Sequence, residues 1–368
     1  MLAQHPKNNC TPLLLAVKGM HESIVLKLLA VGVDLKLPPL NAEHEDGYRP
    51  EMNLLHLAAE KGSDTIVRAV LAAGFQVHAK DQLGHTAFHY AALNDHPHVL
   101  RVLHSFGADP NTPSRDGCHA LHMASFKGHV ETVKVLLELE CHINTRGGAP
   151  GCTPLHLAVQ EGKEEVAGLL LEAGAAVDAG DIDRCTPLHW AAEKGHIGTV
   201  QRLFEHNADV NATDEVFPRT APPAPLLPRA AGNRGGDDTC SALAGSRGGD
   251  GHLLHLAVQY MHGGGTMLLK NGANKNALIK WGHTALHWAA MLGHEAVVSA
   301  LIEAGANTHI RNRLGKTARD VACDNQRIHV ETYLWTANRQ HPNMLGFHTI
   351  RPSIGELPET PVSVHIYR

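Results

Sequence analysis

Histidine is the residue through which this chain has most scope for chemistry, because the sequence holds 29 of them. Seven recur in matching local contexts, as His56, His89, His122, His156, His189, His255 and His287. Six more, His21, His96, His129, His196, His262 and His294, form a second series. Neutral imidazole is a common zinc ligand, so a convergent set of them would make a metal site. Cys118 beside His119 and His122, with Ser125 a turn further on, could also be drawn as a nucleophile and its base.

The context of the first series is what limits both readings. His156 lies in Thr153-Pro154-Leu155-His156-Leu157-Ala158, which returns as Thr186-Pro187-Leu188-His189-Trp190-Ala191 and as Thr284-Ala285-Leu286-His287-Trp288-Ala289. Five lead residues, at 53, 86, 119, 153 and 186, are spaced by 33, 33, 34 and 33. A period near 33 carrying this motif resembles the ankyrin repeat, a β-turn followed by two antiparallel helices. The resemblance implies that each histidine of the first series bonds its own turn and a neighbouring backbone carbonyl. It also places the second series at the start of the second helices. Stacked helices sit about 8 to 10 Å apart, whereas zinc needs nitrogens at about 2.1 Å. Equivalent histidines therefore cannot share an ion, and no metal, cofactor or catalytic residue is expected.

The motif explains its own helices. Thr153 can cap the first helix, and Pro154 takes the first helical position, where no amide donor is needed. Leu155 and Leu157 supply apolar contact, Ala158 keeps one side thin, and Gly162 ends the helix. Val166, Leu169 and Leu170 make the buried stripe of the second helix, which Gly174 closes. The product is a flat unit with two apolar faces that is stable only against neighbours. Hydrophobic content of 43% with aromatic content of only 4% suits such thin layers.

The fold expected is an all-α ankyrin-repeat solenoid of about nine helix-turn-helix repeats with β-turn fingertips. A short segment at 1–10 precedes repeats one to six at 11–215, which include a long fingertip loop at 35–52. Residues 216–250 hold five prolines and six glycines and read as a disordered insertion. Repeats seven to nine, with a C-terminal cap, occupy 251–338, and an extended tail occupies 339–368. In the seventh repeat, Gly263 to Gly265 should shorten the second helix to Thr266–Lys270. In the ninth, the second helix should run roughly from Arg327 to Trp335.

A formal charge of -5 argues against a nucleic-acid partner. No apolar signal core opens the chain and no run of about 18 apolar residues follows, so no membrane partner is expected. Seven cysteines, an odd number without a C-x-x-C pair, fit a reducing compartment, cytoplasmic or nuclear. A monomer is expected.

What remains is recognition. In ankyrin stacks the fingertips and the exposed ends of the first helices line a concave groove, so the resemblance implies a non-enzymatic scaffold that binds a protein or peptide there. Two apolar groupings fall at those positions: Leu83, Leu93 and Phe126, and then Tyr260, Trp281, Met291 and Leu292. His85, Arg115, Lys127 and His283 stand beside them. An alternative is a substrate-receptor subunit of a ubiquitin ligase. Ankyrin proteins sometimes end in an adaptor-binding box, and Ile350 to Pro358 resembles its later half, without the upstream helix. Asn111, Asn144 and Asn211 occupy the turn position that asparaginyl hydroxylases modify in similar repeats.

Overall fold

A computed structural model describes residues 11–32, 52–148, 150–213, 253–259, 264–279 and 281–340. Nine helix pairs lie within these residues. The first six are α1 (Pro12–Lys18) with α2 (Glu22–Ala30), α3 (Leu54–Lys61) with α4 (Asp64–Ala72), α5 (Ala87–Leu93) with α6 (Pro97–Ser105), α7 (Ala120–Lys127) with α8 (Val130–Glu138), α9 (Pro154–Gln160) with α10 (Glu164–Glu172), and α11 (Pro187–Lys194) with α12 (Ile197–Glu205). The last three are α13 (Leu253–Gln259) with α14 (Gly264–Lys270), α15 (Ala285–Leu292) with α16 (Glu295–Glu303), and α17 (Ala318–Asp324) with α18 (Ile328–Gln340).

Apart from α18, every helix has seven to nine residues, too short to persist alone in water. Side chains close the starts of most first helices. Before α3, the Asn53 Oδ1 accepts the His56 amide at 3.0 Å while the His56 Nδ1 accepts the Asn53 amide at 3.1 Å. This is a reciprocal capping box in which histidine does the work usually done by Glu or Gln. The same box opens α5, α7, α9, α11 and α15, and Asp320 replaces the histidine before α17. At the other end of α3, Gly62 adopts φ +77°, and a Cβ there would meet the His96 ring of the next repeat at 2.4 Å. Glycine is required at that position by conformation and by packing together.

Packing follows the pairs. The first helices form one row, α1 to α17 in odd order, each against the next. The second helices pack in the same way from α2 to α12 and again from α14 to α18. Between the rows lies one apolar core, in which Leu54, Leu55, Leu121, Leu136, Leu155 and Trp190 are fully buried. Beneath the rows runs a ladder of turn side chains, each accepting a backbone amide from the next repeat. Asn111 Oδ1 accepts from His142 at 2.7 Å, Asn144 from Ala176 at 2.8 Å, Asp178 from Asp209 at 3.0 Å and Asn276 from Asn307 at 2.8 Å.

The same rung joins Asn211 to the Asn274 amide at 2.9 Å, although 63 residues separate them in sequence instead of the usual 31 or 32. Helix α11 packs directly on α13. The two blocks of repeats are thus one continuous stack. The residues read as an insertion, 216–250, lie outside the described residues, as do 1–10, most of the loop at 35–52, and the tail from 341.

Two helices differ from the sequence expectation. Helix α14 starts at Gly264 instead of Thr266, because Gly265 is buried with Ala257 Cβ 3.8 Å from where its own Cβ would be, and packing offsets the poor helix propensity of glycine. Helix α18 runs on to Gln340, past the expected end at Trp335, with Val330 and Leu334 of its first half buried in the core.

Removing residues 216–248 would restore a 33-residue spacing between Pro187 and the start of α13. The shortened chain should keep its helical circular dichroism and one cooperative thermal transition near that of the full chain; separate melting of two blocks would contradict a continuous stack. A second expectation concerns Ser125, which is fully buried with an unpaired hydroxyl where other repeats place Ala59, Ala92, Ala192 or Ala290. Ser125→Ala should stabilise the fold by about 1 kcal/mol, measured by chemical denaturation, and a loss of stability would show that the hydroxyl has a partner.

Candidate partner-binding surface

Five first-series histidines, His56, His89, His122, His156 and His287, have both ring nitrogens committed to structure. In each capping box the Nδ1 accepts a backbone amide, which leaves the proton on Nε2. That Nε2 then donates to the following repeat. His89 donates to the Cys118 carbonyl at 3.2 Å, His122 to Cys152 at 3.0 Å, His156 to Cys185 at 2.9 Å, His255 to His283 at 3.2 Å and His287 to Lys316 at 3.1 Å. His56 reaches Ala79 at 2.9 Å. His189 caps α11 in the same way, and the tip that follows it lies largely outside the described residues.

Three of the second series point the other way. His96 donates to the Glu60 carbonyl of the preceding repeat at 2.9 Å, His129 to Leu93 at 3.0 Å and His196 to Gln160 at 2.8 Å. Each of these carbonyls lies near the end of a first helix, where helical acceptors are left over. Among the described residues, no group of three or more His, Cys, Asp or Glu could hold a metal ion. Cys118 and Ser125 are fully buried, so neither meets a substrate from solution.

The fingertips are organised from their base. Asp81 Oδ1 accepts the amides of Leu83 at 2.8 Å and His85 at 2.7 Å, and its Oδ2 accepts the Tyr90 hydroxyl at 2.7 Å. Burial pushes this carboxyl up, but hydrogen bonds from His85 and Tyr90 outweigh it and hold it below the usual carboxylate range. Asp181 likewise accepts hydrogen bonds from the amides of Asp183 and Cys185 and from the Trp190 indole N–H. Asn312 takes the place in the last tip, accepting from Leu314 and Lys316 at 3.0 Å each.

Adjacent tips are joined through the main chain. The Arg115 amide donates to Leu83 at 2.9 Å, Gly148 to Asp116 at 2.8 Å, Ile182 to Pro150 at 2.9 Å and Arg313 to Trp281 at 3.1 Å. Side chains at the tips are therefore presented at fixed spacing on a preorganised edge.

On this edge the expected binding residues divide. Leu83 is half-buried and sits against the exposed Arg115 through that tip bond. His85 is half-buried with Nδ1 3.5 Å from the Asp81 carboxylate. Leu93 is half-buried at the end of α5. Phe126 packs partly against the core, and the exposed Lys127 lies 5.7 Å from its ring centroid. Trp281 is 51% exposed. His283 is half-buried, its Nε2 accepting from the Asn312 amide at 3.1 Å. Met291 and Leu292 are half-buried at the end of α15, and Tyr260 lies outside the described residues.

Leu314, 77% exposed, and Leu278, 53% exposed, belong to the same edge and were not among the expected binding residues. The period could have found the first, since Leu314 lies 33 residues after Trp281. Of the turn asparagines, Asn144 and Asn211 are exposed and Asn111 is half-buried, each spending its carbonyl oxygen on the turn ladder.

Helix pairs stacked at this period, with histidine capping and joined fingertips, define a protein-interaction module of the repeat type. The family model "Ankyrin repeats (3 copies)" matches residues 55–147, 145–214 and 254–344, and the chain belongs to the ankyrin repeat family. Among solved structures, the human ASB11 ankyrin repeat domain is similar with a TM-score of 0.53 and 26% identity, covering 69% of this chain and 98% of that one. The E3 ubiquitin-protein ligase XBAT32 of Arabidopsis thaliana is 32% identical over 152 residues, 34% of this chain and 28% of that protein. The tyrosine-protein kinase Shark of Drosophila melanogaster is 31% identical over 127 residues, 34% of this chain and 13% of that protein. The match thus spans under a third of either relative. Among the described residues, no helix is long and apolar enough to cross a membrane.

The buried histidines give the stack a pH dependence. Burial, with the neighbouring His85 second, lowers the His89 imidazole to about 3. Burial outweighs the Cys152 hydrogen bond and lowers His122 to about 4. An unfolded chain binds these protons near pH 6.5, whereas the folded chain refuses them until much lower pH. Their stabilisation is therefore complete above pH 6.5 and is lost as pH falls below it, by about 2 kcal/mol for each by pH 5. Denaturation midpoints should drop steeply from pH 7 to 5, and a His122→Gln chain should show a shallower drop. Equal slopes would remove His122 from this account.

Proposed function

We propose that the chain is a non-enzymatic protein-protein interaction scaffold that takes a protein or extended peptide along its fingertips and the neighbouring ends of its first helices. The observation that carries this reading is the row of joined tips on one continuous stack, from Leu83 and Arg115 to Trp281 and Arg313. Such an edge binds without having to order itself first. Its exposed apolar and guanidinium groups are of the kinds that anchor interfaces.

The test is affinity capture with the full chain, followed by the triple variant Leu83→Ser, Arg115→Glu and Trp281→Ser. Captured partners should fall by tenfold or more while the melting temperature stays within about 2 °C, because these side chains lie outside the core. Unchanged capture, or no partner captured by the unmodified chain, would contradict the reading.

A second reading is favoured by the similarity to a protein named as an E3 ubiquitin ligase. Here the stack would select a substrate and the tail at 339–368 would recruit the ligase machinery. Deleting that tail should then abolish co-purification of a ligase adaptor while substrate capture persists; adaptor binding that survives the deletion would exclude it. Asn144 and Asn211, exposed on the turn ladder, are the proposed hydroxylation targets, with Asn111 the third.

A further inference from the structure

The fingertip edge changes character along its length. At the tip apices the row reads Leu83, Asp116, Pro150 and Asp183 in repeats three to six, and Trp281 and Leu314 in repeats eight and nine. The equivalence is set by the tip bonds, since each of Leu83, Asp116, Pro150 and Trp281 offers its carbonyl to the next tip. Both C-terminal apices are exposed, Trp281 at 51% and Leu314 at 77%, and Leu278 beside them is 53% exposed.

Charge changes with them. The base residue of the tip is Asp81, Ser114, Gly147 and Asp181 in repeats three to six, and the tips of repeats eight and nine have only uncharged bases, Ile279 and Asn312. Asn312 keeps both backbone hydrogen bonds of that position without the negative charge. From 264 to 294 and from 304 to 319 the sequence contains no aspartate or glutamate, while Arg311 and Arg313 are exposed on the last tip. Arg311 donates to the Gly315 carbonyl and lies 4.0 Å from Asp320. Arg313 has no carboxylate partner among the described residues, and its own amide is bonded to Trp281. The exposed Arg313 and Trp281 are thereby joined through the main chain, with exposed Leu314 next to Arg313 and exposed Leu278 three residues before Trp281 in sequence.

We propose that the tips of repeats eight and nine form a docking edge for an acidic peptide segment bearing an aromatic or aliphatic anchor. Carboxylates of the segment pair with Arg313 and Arg311, and the anchor lies across Trp281, Leu314 and Leu278. This deepens the scaffold reading and rests on it. Carboxylates suit the planar guanidinium fork, and an apolar edge ringed by cations selects against basic or uncharged segments.

The test uses the full chain and three fluorescein-labelled 12-residue peptides read by fluorescence anisotropy: one of Asp and Glu with two Phe, one with Ser replacing the acids, and one with Lys replacing them. The acidic peptide should bind at least tenfold tighter than the serine peptide, weaken as salt rises, and leave the lysine peptide unbound. Arg313→Glu with Arg311→Glu, and separately Trp281→Ser, should each weaken the acidic peptide about tenfold with unchanged melting temperature. Equal affinity for the three peptides, or no effect of the arginine reversal, overturns the proposal. So does tighter binding of a 12-nucleotide single strand, or a dimer in sedimentation that the reversal dissociates. If the intact chain captures partners that the arginine reversal leaves untouched, this edge fails and the scaffold reading stands; if the intact chain captures none, the scaffold reading itself fails.

Discussion

One imidazole with both nitrogens occupied is the constraint on which the stack depends. Its Nδ1 takes an amide at the start of its own helix, and because that amide can only donate, the ring proton must sit on Nε2 and be given to the next repeat. His122 shows both halves, capping α7 at His119 and reaching Cys152 across the interface. Local helix initiation and inter-repeat registry are thereby the same interaction. A helix of eight residues that could not persist alone is fixed by the bond that also places its neighbour. His96, His129 and His196 of the second series add the reverse link, from the start of a second helix back to the end of the preceding first helix. Charging His89 or His122 would turn the capping acceptor into a repelled donor, so the stack requires these buried rings to be neutral.

Much of this was legible in the sequence because the repeat states its own rules. Pro154 and Pro187 mark first helical positions, and Thr153 and Thr186 mark the caps, so those helices begin where spacing places them. What spacing could not supply was geometry across a gap. Counting residues from Asn211 to Asn274 gives the same number whether the stack is broken or continuous, and only the rung between them decides it. Glycine at 264 and 265 argued locally for a shorter helix, and tertiary packing overrode that preference.

The surface was less legible than the core, for a physical reason. Register assigns a residue to a tip or a helix end, but exposure is set by neighbours in the adjacent repeat. Phe126 and Trp281 both fall at expected contact positions, yet Phe126 packs partly against the core while Trp281 stands half in solvent. Leu314 reads in sequence as one leucine among many, and its exposure goes with its place on the last tip among the described residues. The uncharged bases Ile279 and Asn312 are likewise unremarkable until Arg313 is seen bonded through its main chain to Trp281, with no carboxylate partner among the described residues.

The most direct measurement of the central claim is nitrogen-15 NMR of the histidine side chains across pH. The account predicts that His89 and His122 hold the Nε2-protonated neutral tautomer from pH 7 down to at least pH 5, with Nε2 protons protected from solvent exchange. Titration of either ring near pH 6.5 in the folded protein, or the opposite tautomer at neutral pH, would contradict it.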